Sequence, residues 1–371
     1  MRRVSLDGLQ RINIIFGQNG SGKTSLLEAI HLLGLGRSFR SSRIAPLIHH
    51  DMDQALVFGE IEGAGGLGQS LGLTKTRSGD QQLRLDKRPV AGRAELARVL
   101  PLQLLDAESF SLVDGGPKPR RQFMDWGVFH VKHPFMEHWS RAQRALKQRN
   151  SLLRGAARGA GDGRMRGEAR PDLVTGGLAA WDAELIQSAL VVDELRRAYL
   201  DLLLPHLHRV LGRFPELPPI QLHYRRGWRH DCALEDALKA SLPRDRELGF
   251  SQVGPHRATL DISIDGRPAV EVLSRGQQKL AVAALRLAQG ACMAEQTGTR
   301  GVYLVDDLPA ELDSRHRQTL CRLLDELGSQ VFITSVDADV MEGAALRGVW
   351  SNQDEVRRFH VEQGVYRCLK S

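Results

Sequence analysis

Residues 17 to 24 read Gly17-Gln18-Asn19-Gly20-Ser21-Gly22-Lys23-Thr24 and match the phosphate-binding loop pattern G-x-x-x-x-G-K-[ST] at every fixed position. The glycines let the backbone curl so that successive amides point inward and form a nest for an anion. Lys23 is expected to reach the β- and γ-phosphates of a nucleotide, and the Thr24 hydroxyl is expected to ligate Mg²⁺. The loop therefore predicts binding of a nucleoside triphosphate.

Apolar residues flank this loop in two different patterns. The run from Ile12 to Phe16 predicts a short buried strand, and the spacing of Leu26, Leu27, Ile30 and Leu33 predicts a helix. A helix in this place directs its N-terminal amides and its dipole at the phosphates. This context disfavours the alternative, a glycine-rich turn that happens to precede a lysine.

Composition limits the classes of protein that need to be considered. The 371 residues are enough for two domains, and 42% apolar with 26% charged residues is ordinary for a soluble globular protein. A formal charge of +7 and a pI near 9.5 favour a polyanionic partner such as nucleic acid, in addition to the nucleotide. A generally basic protein without such a partner is the alternative.

The cysteines and the N-terminal residues indicate the cellular compartment of the protein. Four cysteines lie far apart without a C-x-x-C pair, which disfavours a zinc site or a disulfide framework and fits a reducing cytosol. The first residues lack the apolar core of a signal peptide, and no stretch has the length of a transmembrane helix. We therefore expect a cytoplasmic protein without membrane contact.

The middle of the chain changes character twice. Short alternating segments between residues 55 and 90 predict an antiparallel meander, whereas residues 136 to 154 and 178 to 212 have helical periodicity, with a mobile loop expected over 155 to 167. Residues 138 to 170 hold nine Arg or Lys, and residues 223 to 230 are basic and aromatic. Both patches are candidates for contact with DNA phosphates and bases, with a solvated surface as the alternative.

Two later segments complete the set of candidate site residues. Ser274 is placed to cap a helix, and Gly276 leaves room for a close ligand, although S-x-G-Q alone is a weak signal. The apolar residues from Val302 to Val305 predict a buried strand that ends at Asp306 and Asp307. Asp306 is expected to share the Mg²⁺ shell with Thr24, and Asp307 to polarise the attacking water.

The order of these motifs resembles the ATP-binding-cassette ATPases of the structural-maintenance-of-chromosomes (SMC) type. The motifs are GQNGSGKT at 17 to 24, LSRGQQK at 273 to 279, VYLVDDLPAELD at 302 to 313 and ITS at 333 to 335. Within that group the chain is most similar to the RecF family of recombination mediators. The segments that indicate this family are GRSFRS at 36 to 41, GGPKPRRQFMDW at 115 to 126, KQRN at 147 to 150 and GPHR at 254 to 257.

The resemblance implies an α/β fold, an ABC/SMC-type ATPase head with an inserted helical arm. The head would carry the phosphate-binding loop on a mixed sheet, beside an antiparallel β subdomain. Residues 1 to 106 and 251 to 371 would form the two parts of the head, and residues 107 to 250 the arm. The family usually begins with an extra strand. Only 16 residues precede Gly17, so that strand and part of the adenine pocket are expected to be missing.

In this family two subunits enclose each ATP. The resemblance implies that Gly17 to Thr24 bind ATP in one subunit, while Ser274, Arg275, Gly276 and Gln277 reach its γ-phosphate from the other subunit of an ATP-dependent homodimer. Lys23, Asp306 and Asp307 would be catalytic, with Mg²⁺ on Thr24 and Asp306. Asp307 stands where many cassettes carry Glu, so we expect slow, DNA-stimulated hydrolysis. Thr334-Ser335-Val336 lacks the switch histidine of transporter cassettes.

The implied function is an ATP-dependent DNA-binding clamp of recombinational repair and replication-fork maintenance. It would bind single-stranded, double-stranded and gapped DNA, including junctions between single and double strands. Its protein partners would be RecO and RecR, with which it would help to load RecA.

Three other classes fit the sequence less well. A transporter ATPase subunit would place its signature motif closer to the phosphate loop and would carry the switch histidine. A chromosome-structure ATPase would need hundreds of heptad residues, which residues 107 to 250 do not supply. A small-molecule P-loop kinase would not need the LSRGQQK segment.

Overall fold

The computed structural model describes residues 3–41, 43, 45–63, 66, 68–161, 171–308, 312–336 and 348–369. The chain divides into two compact units. The first comprises Met1–Phe110, His206–Leu217 and Ser274–Ser371, and the second comprises Ser111–Pro205 and Pro218–Leu273.

The strands in the described ranges are β1 (Ile12–Phe16), β2 (Gln54–Glu62), β3 (Gly68–Thr76), β4 (Gln81–Leu85), β5 (Arg88–Pro89), β6 (Leu102–Leu105), β7 (Gln221–Arg225), β8 (Thr259–Ile264), β9 (Arg267–Pro268), β10 (Val302–Val305), β11 (Gln330–Ser335), β12 (Val356–Glu362) and β13 (Val365–Leu369). The helices are α1 (Lys23–Leu35), α2 (Arg93–Val99), α3 (Ser111–Asp114), α4 (Pro117–Val131), α5 (Phe135–Gly161), α6 (Pro171–Leu211), α7 (Leu234–Leu248), α8 (Ala269–Val272), α9 (Arg275–Thr297) and α10 (Ser314–Glu326).

A six-stranded mixed sheet organises the first unit, in the order β13-β12-β1-β11-β10-β6. The strands from β12 to β6 run parallel, and β13 closes the edge antiparallel to β12. Strands β1, β10 and β11 are short apolar runs because both faces of the sheet are buried. Their carboxyl ends meet at one edge, where a doubly covered sheet presents its ligand site.

An antiparallel sheet, β2-β3-β4-β5, lies in the same unit. Strand β2 alternates exposed and half-buried residues, as a strand with one solvated face does. Its Gly59 faces α1 so closely that a Cβ atom there would lie 2.7 Å from Leu33. The expected α/β class, with a mixed sheet beside an antiparallel β subdomain, is therefore confirmed.

The second unit is mainly helical and is held together by buried arginines. Arg149 in α5 is fully buried and bonds to Asp182, Asp245 and Ser251 at 2.6 to 2.7 Å. Because its side chain is buried there, Arg149 is not available to the DNA backbone that the basic pattern of residues 138 to 170 suggested.

Two details of this unit differ from the sequence pattern. Helix α5 continues to Gly161, so residues 155 to 161 of the expected mobile loop are helical, and residues 162 to 167 lie outside the described part. The alanines and Arg158 of this segment are good helix formers and offset the cost of its glycines. Trp228 of the basic aromatic segment is only 8% exposed, and Arg226 Cζ lies 4.7 Å from the centroid of its ring. This face of the ring is therefore not available to stack on a DNA base.

None of the helices in the described ranges combines the length and the apolar composition that a membrane crossing requires.

Candidate nucleotide-binding site

The phosphate-binding loop connects β1 to α1 and depends on glycine at two positions. Gly17 has φ 154°, and a Cβ atom there would lie 2.2 Å from the carbonyl oxygen of Val361 in β12. Gly22, with φ 113°, precedes the first turn of α1. Both residues adopt backbone conformations that side chains disfavour, so the loop geometry predicted from its glycines has a local physical cause.

Lys23 begins helix α1 and lies across the loop. Its Nζ donates to the carbonyl oxygens of Gly17 at 2.5 Å and Gln18 at 2.9 Å. Burial lowers the pKa of Lys23, and the charges of Asp307 and Asp306 oppose that shift. A charged ammonium group is thus held over the loop by carbonyl groups that a phosphate can replace as partners.

Asp306 lies at the carboxyl end of β10 between two hydroxyl groups. Its Oδ1 accepts hydrogen bonds from Thr24 at 3.1 Å and from Thr334 at 2.7 Å. The register that pairs Val305 with Ile333 brings Asp306 beside Thr334 of β11. Threonine hydroxyl and carboxylate oxygens are ligands that Mg²⁺ prefers, so the donors around Asp306 fit this ion.

Asp307 turns out of the strand with φ 49°, a left-handed conformation that Asp tolerates better than most residues. Its backbone N–H donates to Thr334 Oγ1 at 2.7 Å. One threonine hydroxyl therefore contacts both members of the aspartate pair.

These residues surround a cavity of about 310 Å³. The lining residues are Asn19, Gly20, Gly22, Lys23, Thr24, Ser25, Arg40, Asp306, Asp307 and Thr334. The volume is within the range of small-ligand sites, and the lining combines loop amides, two cations and two carboxylates. The cavity therefore fits a triphosphate with its metal ion.

The segment from Ser274 to Gln277 does not line this cavity in the described part of the chain. It starts helix α9 with a capping box, in which Ser274 Oγ accepts the N–H of Gln277 and Gln277 Oε1 accepts the N–H of Ser274. Arg275 and Gly276 are exposed, and a Cβ atom at Gly276 would meet no atom within 4 Å. Packing within the described part of the chain thus gives no reason for glycine at position 276.

Local sequence patterns assign no site role to three residues that line this cavity, Ser25, Arg40 and Thr334. Arg40 belongs to the GRSFRS segment, which indicates the family, and Thr334 belongs to the segment that lacks the switch histidine. Tyr366 donates its hydroxyl to the carbonyl oxygen of Gly22 at 2.7 Å from the C-terminal hairpin. Sheet order places Thr334 beside Asp306 and Tyr366 beside the loop, so no local pattern in the sequence indicates these contacts.

Part of one predicted motif lies outside the described residues. Residues 309 to 311 of the VYLVDDLPAELD segment are not described. Asp313 caps helix α10 by accepting the N–H of His316 at 3.0 Å.

Comparison with known proteins shows the family to which this chain belongs. The RecF/RecN/SMC N-terminal domain profile matches residues 1–358. A DNA replication and repair protein RecF from Pseudomonas fluorescens is 48% identical over 361 residues, covering 97% of this chain and 93% of the relative. The chain belongs to the RecF family. A second RecF, from Stutzerimonas stutzeri, is 49% identical over 97% of this chain and 92% of its own length.

Solved structures support the same family and fold. A RecF structure described as RecF-ATP in the RecFOR pathway has a TM-score of 0.82 at 25% identity, over 98% of this chain and 93% of that one. An SMC head domain from Pyrococcus furiosus has a TM-score of 0.52 at 17% identity, over 97% of this chain and 90% of the other, and shares the fold alone. The RecF family is one of DNA replication and repair.

Proposed function

We propose that this RecF-family chain is an ATP-dependent DNA-binding protein of recombinational repair and replication, in which ATP binding holds two subunits together on DNA. The observation that carries the proposal is the convergence of Lys23, Thr24 and Asp306 on one cavity of about 310 Å³. Binding of ATP by a RecF relative of the same fold supports this assignment.

The residues of one subunit would bind the nucleotide as follows. The amides of residues 17 to 24 and the N-terminus of α1 hold the phosphates, and Lys23 exchanges its contacts with Gly17 and Gln18 for the β- and γ-phosphate oxygens. Thr24 and Asp306 would ligate Mg²⁺, which neutralises charge on the phosphates when bound. Arg40, on the rim of the same cavity, adds a second cation.

Hydrolysis would rest on Asp307 as the group that orients and deprotonates the attacking water. Its carboxylate is one methylene shorter than the glutamate of many cassettes, and its backbone is fixed by the bond to Thr334. A short side chain on a fixed backbone has limited reach, so we propose that turnover is slow. We also propose that DNA stimulates this turnover. Turnover would then time the release of the protein from DNA.

The second half of the site would come from another copy of the chain. Ser274, Arg275, Gly276 and Gln277 do not line the cavity of their own chain, and Gly276 is open to solvent. A helix N-terminus with an exposed glycine can approach a γ-phosphate closely. ATP would thus stabilise a two-fold dimer, because it binds the paired state more tightly than the separate subunits.

The DNA-binding part of the proposal rests on charge and on family. A net charge of +7 favours a phosphate backbone as partner. Gapped DNA and junctions of single and double strands are the substrates we propose, with RecO and RecR as protein partners in the placement of RecA. The related ATP-bound RecF acts in the RecFOR pathway, which supports this choice of partners.

The test is binding of gapped duplex DNA, measured by fluorescence anisotropy, with ATP and with ADP. The wild-type protein is expected to bind at least about tenfold more tightly with ATP, since a clamp that closes on DNA gains affinity only in its ATP state. Lys23→Arg should retain part of the ATP and DNA binding and lose hydrolysis, whereas Lys239→Arg, an exposed residue outside the site, should behave as wild type. Equal DNA affinity in ATP and ADP overturns the proposal.

A further inference from the structure

The phosphate-binding loop is supported from behind by the last two strands of the chain. Strands β12 and β13 form a hairpin with a two-residue turn at Gln363 and Gly364, both with positive φ. The hairpin pairs with β1 through β12, so its turn lies next to the loop that follows β1. The contacts between hairpin and loop form no part of the motifs assigned above.

Two hydrogen bonds and one close approach define this contact. The N–H of Gly364 donates to the carbonyl oxygen of Ser21 at 2.8 Å, and the Tyr366 hydroxyl donates to the carbonyl oxygen of Gly22 at 2.7 Å. The Val361 carbonyl oxygen would lie 2.2 Å from a Cβ atom at Gly17. The hairpin therefore touches the first residue of the loop and the two that precede Lys23.

The direction of these bonds matters for a phosphate site. A peptide unit that points its carbonyl oxygen at the hairpin points its N–H the opposite way, because the two groups are antiparallel in a trans peptide. The carbonyls of Ser21 and Gly22 belong to the peptide units whose N–H groups are those of Gly22 and Lys23. Bonds from Gly364 and Tyr366 thus turn these two amides toward the anion nest.

The surroundings of Tyr366 favour its hydroxyl group as a hydrogen-bond donor. Its ring packs beside the core of the first unit, and burial raises the pKa of the hydroxyl, so the hydroxyl keeps its proton. The preceding residue, Val365, is 57% exposed.

We propose that the C-terminal hairpin sets the nucleotide-binding conformation of the loop, and that Tyr366 is a positioning residue for ATP. The inference rests on the proposed function, because it concerns the same ATP site. The ligand is the phosphate chain of a nucleoside triphosphate, and Tyr366 acts on it through the backbone of Gly22 and Lys23 without touching it.

The experiment compares Tyr366→Phe with Val365→Thr in the full-length protein. Tyr366→Phe deletes one hydroxyl and keeps the ring, whereas Val365→Thr changes the adjacent exposed side chain and leaves both loop contacts in place. Binding of Mg-ATP is measured by isothermal titration calorimetry well below the Tm, and hydrolysis is measured at saturating ATP.

For Tyr366→Phe we expect the Kd for ATP to rise about fivefold to tenfold, as loss of one hydrogen bond to a positioned group does. The value of kcat at saturating ATP should stay within about twofold of wild type, because Tyr366 does not touch the reacting atoms. Val365→Thr should bind as wild type. A purely structural role for Tyr366 would lower the Tm and leave the Kd unchanged.

Two results overturn this inference and leave the proposed function standing. One is a wild-type Kd for ATP in Tyr366→Phe, and the other is an equal loss of affinity in Val365→Thr. A wild-type protein that fails to bind ATP overturns the proposed function itself, so the two failures are distinguishable.

Discussion

Thr334 donates its hydroxyl to Asp306 Oδ1 at 2.7 Å, from the end of one central strand to the end of the next. The same hydroxyl accepts the backbone N–H of Asp307 at 2.7 Å. One side chain thereby fixes the carboxylate proposed to hold the metal and the backbone of the residue proposed to activate water.

Thr334→Val is expected to slow ATP hydrolysis by at least about tenfold, because both hydrogen bonds between Thr334 and the aspartate pair are lost. The affinity for ATP should change by less than about threefold, since the loop amides and Lys23 remain in place. Single-turnover hydrolysis and calorimetry measure the two effects. Thr334→Ser keeps the hydroxyl and is the matched control; if Ser and Val variants hydrolyse ATP equally well, the hydroxyl does not orient the pair.

Asp307→Asn is expected to lower kcat by about 100-fold to 10,000-fold, the range typical for loss of a general base. Asparagine keeps the size of the side chain and tolerates the positive φ of 49° at this position, so the fold should be unaffected. ATP-dependent dimers should form and persist, because binding no longer ends in hydrolysis. Rapid-quench assays and light scattering measure these outcomes, and wild-type turnover in Asp307→Asn would remove Asp307 from the mechanism.

Local patterns in the sequence were enough for the elements that carry the site. The strand Ile12–Phe16, the glycines of the loop and the strand before Asp306 are each encoded within a few neighbouring residues. The contacts of Thr334 and Tyr366 depend on which strands lie side by side, and that order is set by packing between segments far apart in the chain, as the Tyr366–Gly22 bond illustrates.

Charge patterns were a weaker guide than apolar patterns. Arg149 belongs to a basic helix that the sequence offered as a DNA-binding surface, yet it bonds to Asp245 at a separation of 96 residues. A cation on a helix is either a surface charge or one half of a buried ion pair. Which of the two it is depends on partners that lie far away in the sequence. Only the structure separates the two cases.

Arg149→Met is expected to lower the free energy of unfolding by about 3 to 5 kcal/mol, because it leaves the buried carboxylate of Asp245 without its cation. The control is Arg141→Gln, which breaks a pair with Glu184 at the surface and should change stability by at most about 1 kcal/mol. Urea denaturation measures both. A loss below about 1 kcal/mol in Arg149→Met would mean that water or another cation satisfies Asp245.

His31 in α1 should make stability depend on pH. Burial lowers its pKa to about 4, while its Nδ1 lies 2.8 Å from the carbonyl oxygen of Arg37. The unfolded chain, with an ordinary histidine pKa of about 6.5, binds a proton that the folded chain does not. Stability should therefore fall as pH decreases from 6.5 toward 4, by about 1.4 kcal/mol per pH unit from this residue.

Denaturation at pH 7.5, 6.0 and 5.0 tests this expectation in wild type and in His31→Phe. The variant should lose that part of the pH dependence. Phe39→Leu removes the ring that contacts His31 edge-on at 5.2 Å but keeps the titrating group, so it should lower stability without changing the slope. Identical slopes in His31→Phe and wild type would show that His31 is protonated without unfolding.

The substitution Gly276→Leu should affect dimer formation without lowering the stability of the single chain. A Cβ atom at this position meets nothing within 4 Å, and leucine is the better helix former by up to about 1 kcal/mol, so the Tm should stay equal or rise. ATP binding by the separate subunit should be unchanged, because residue 276 does not line the cavity. The ATP-dependent dimer should be lost, since the added side chain occupies the space through which α9 approaches the nucleotide of the other subunit.

Light scattering in ATP and in ADP measures that loss, with Gln296→Leu as the control because it adds the same side chain near the other end of the helix. If Gly276→Leu dimerises like wild type, the segment from Ser274 to Gln277 does not contact a partner's nucleotide. The site around Lys23 and Asp306 would then have to be complete within one chain, and ATP would lose its proposed role in joining two subunits on DNA.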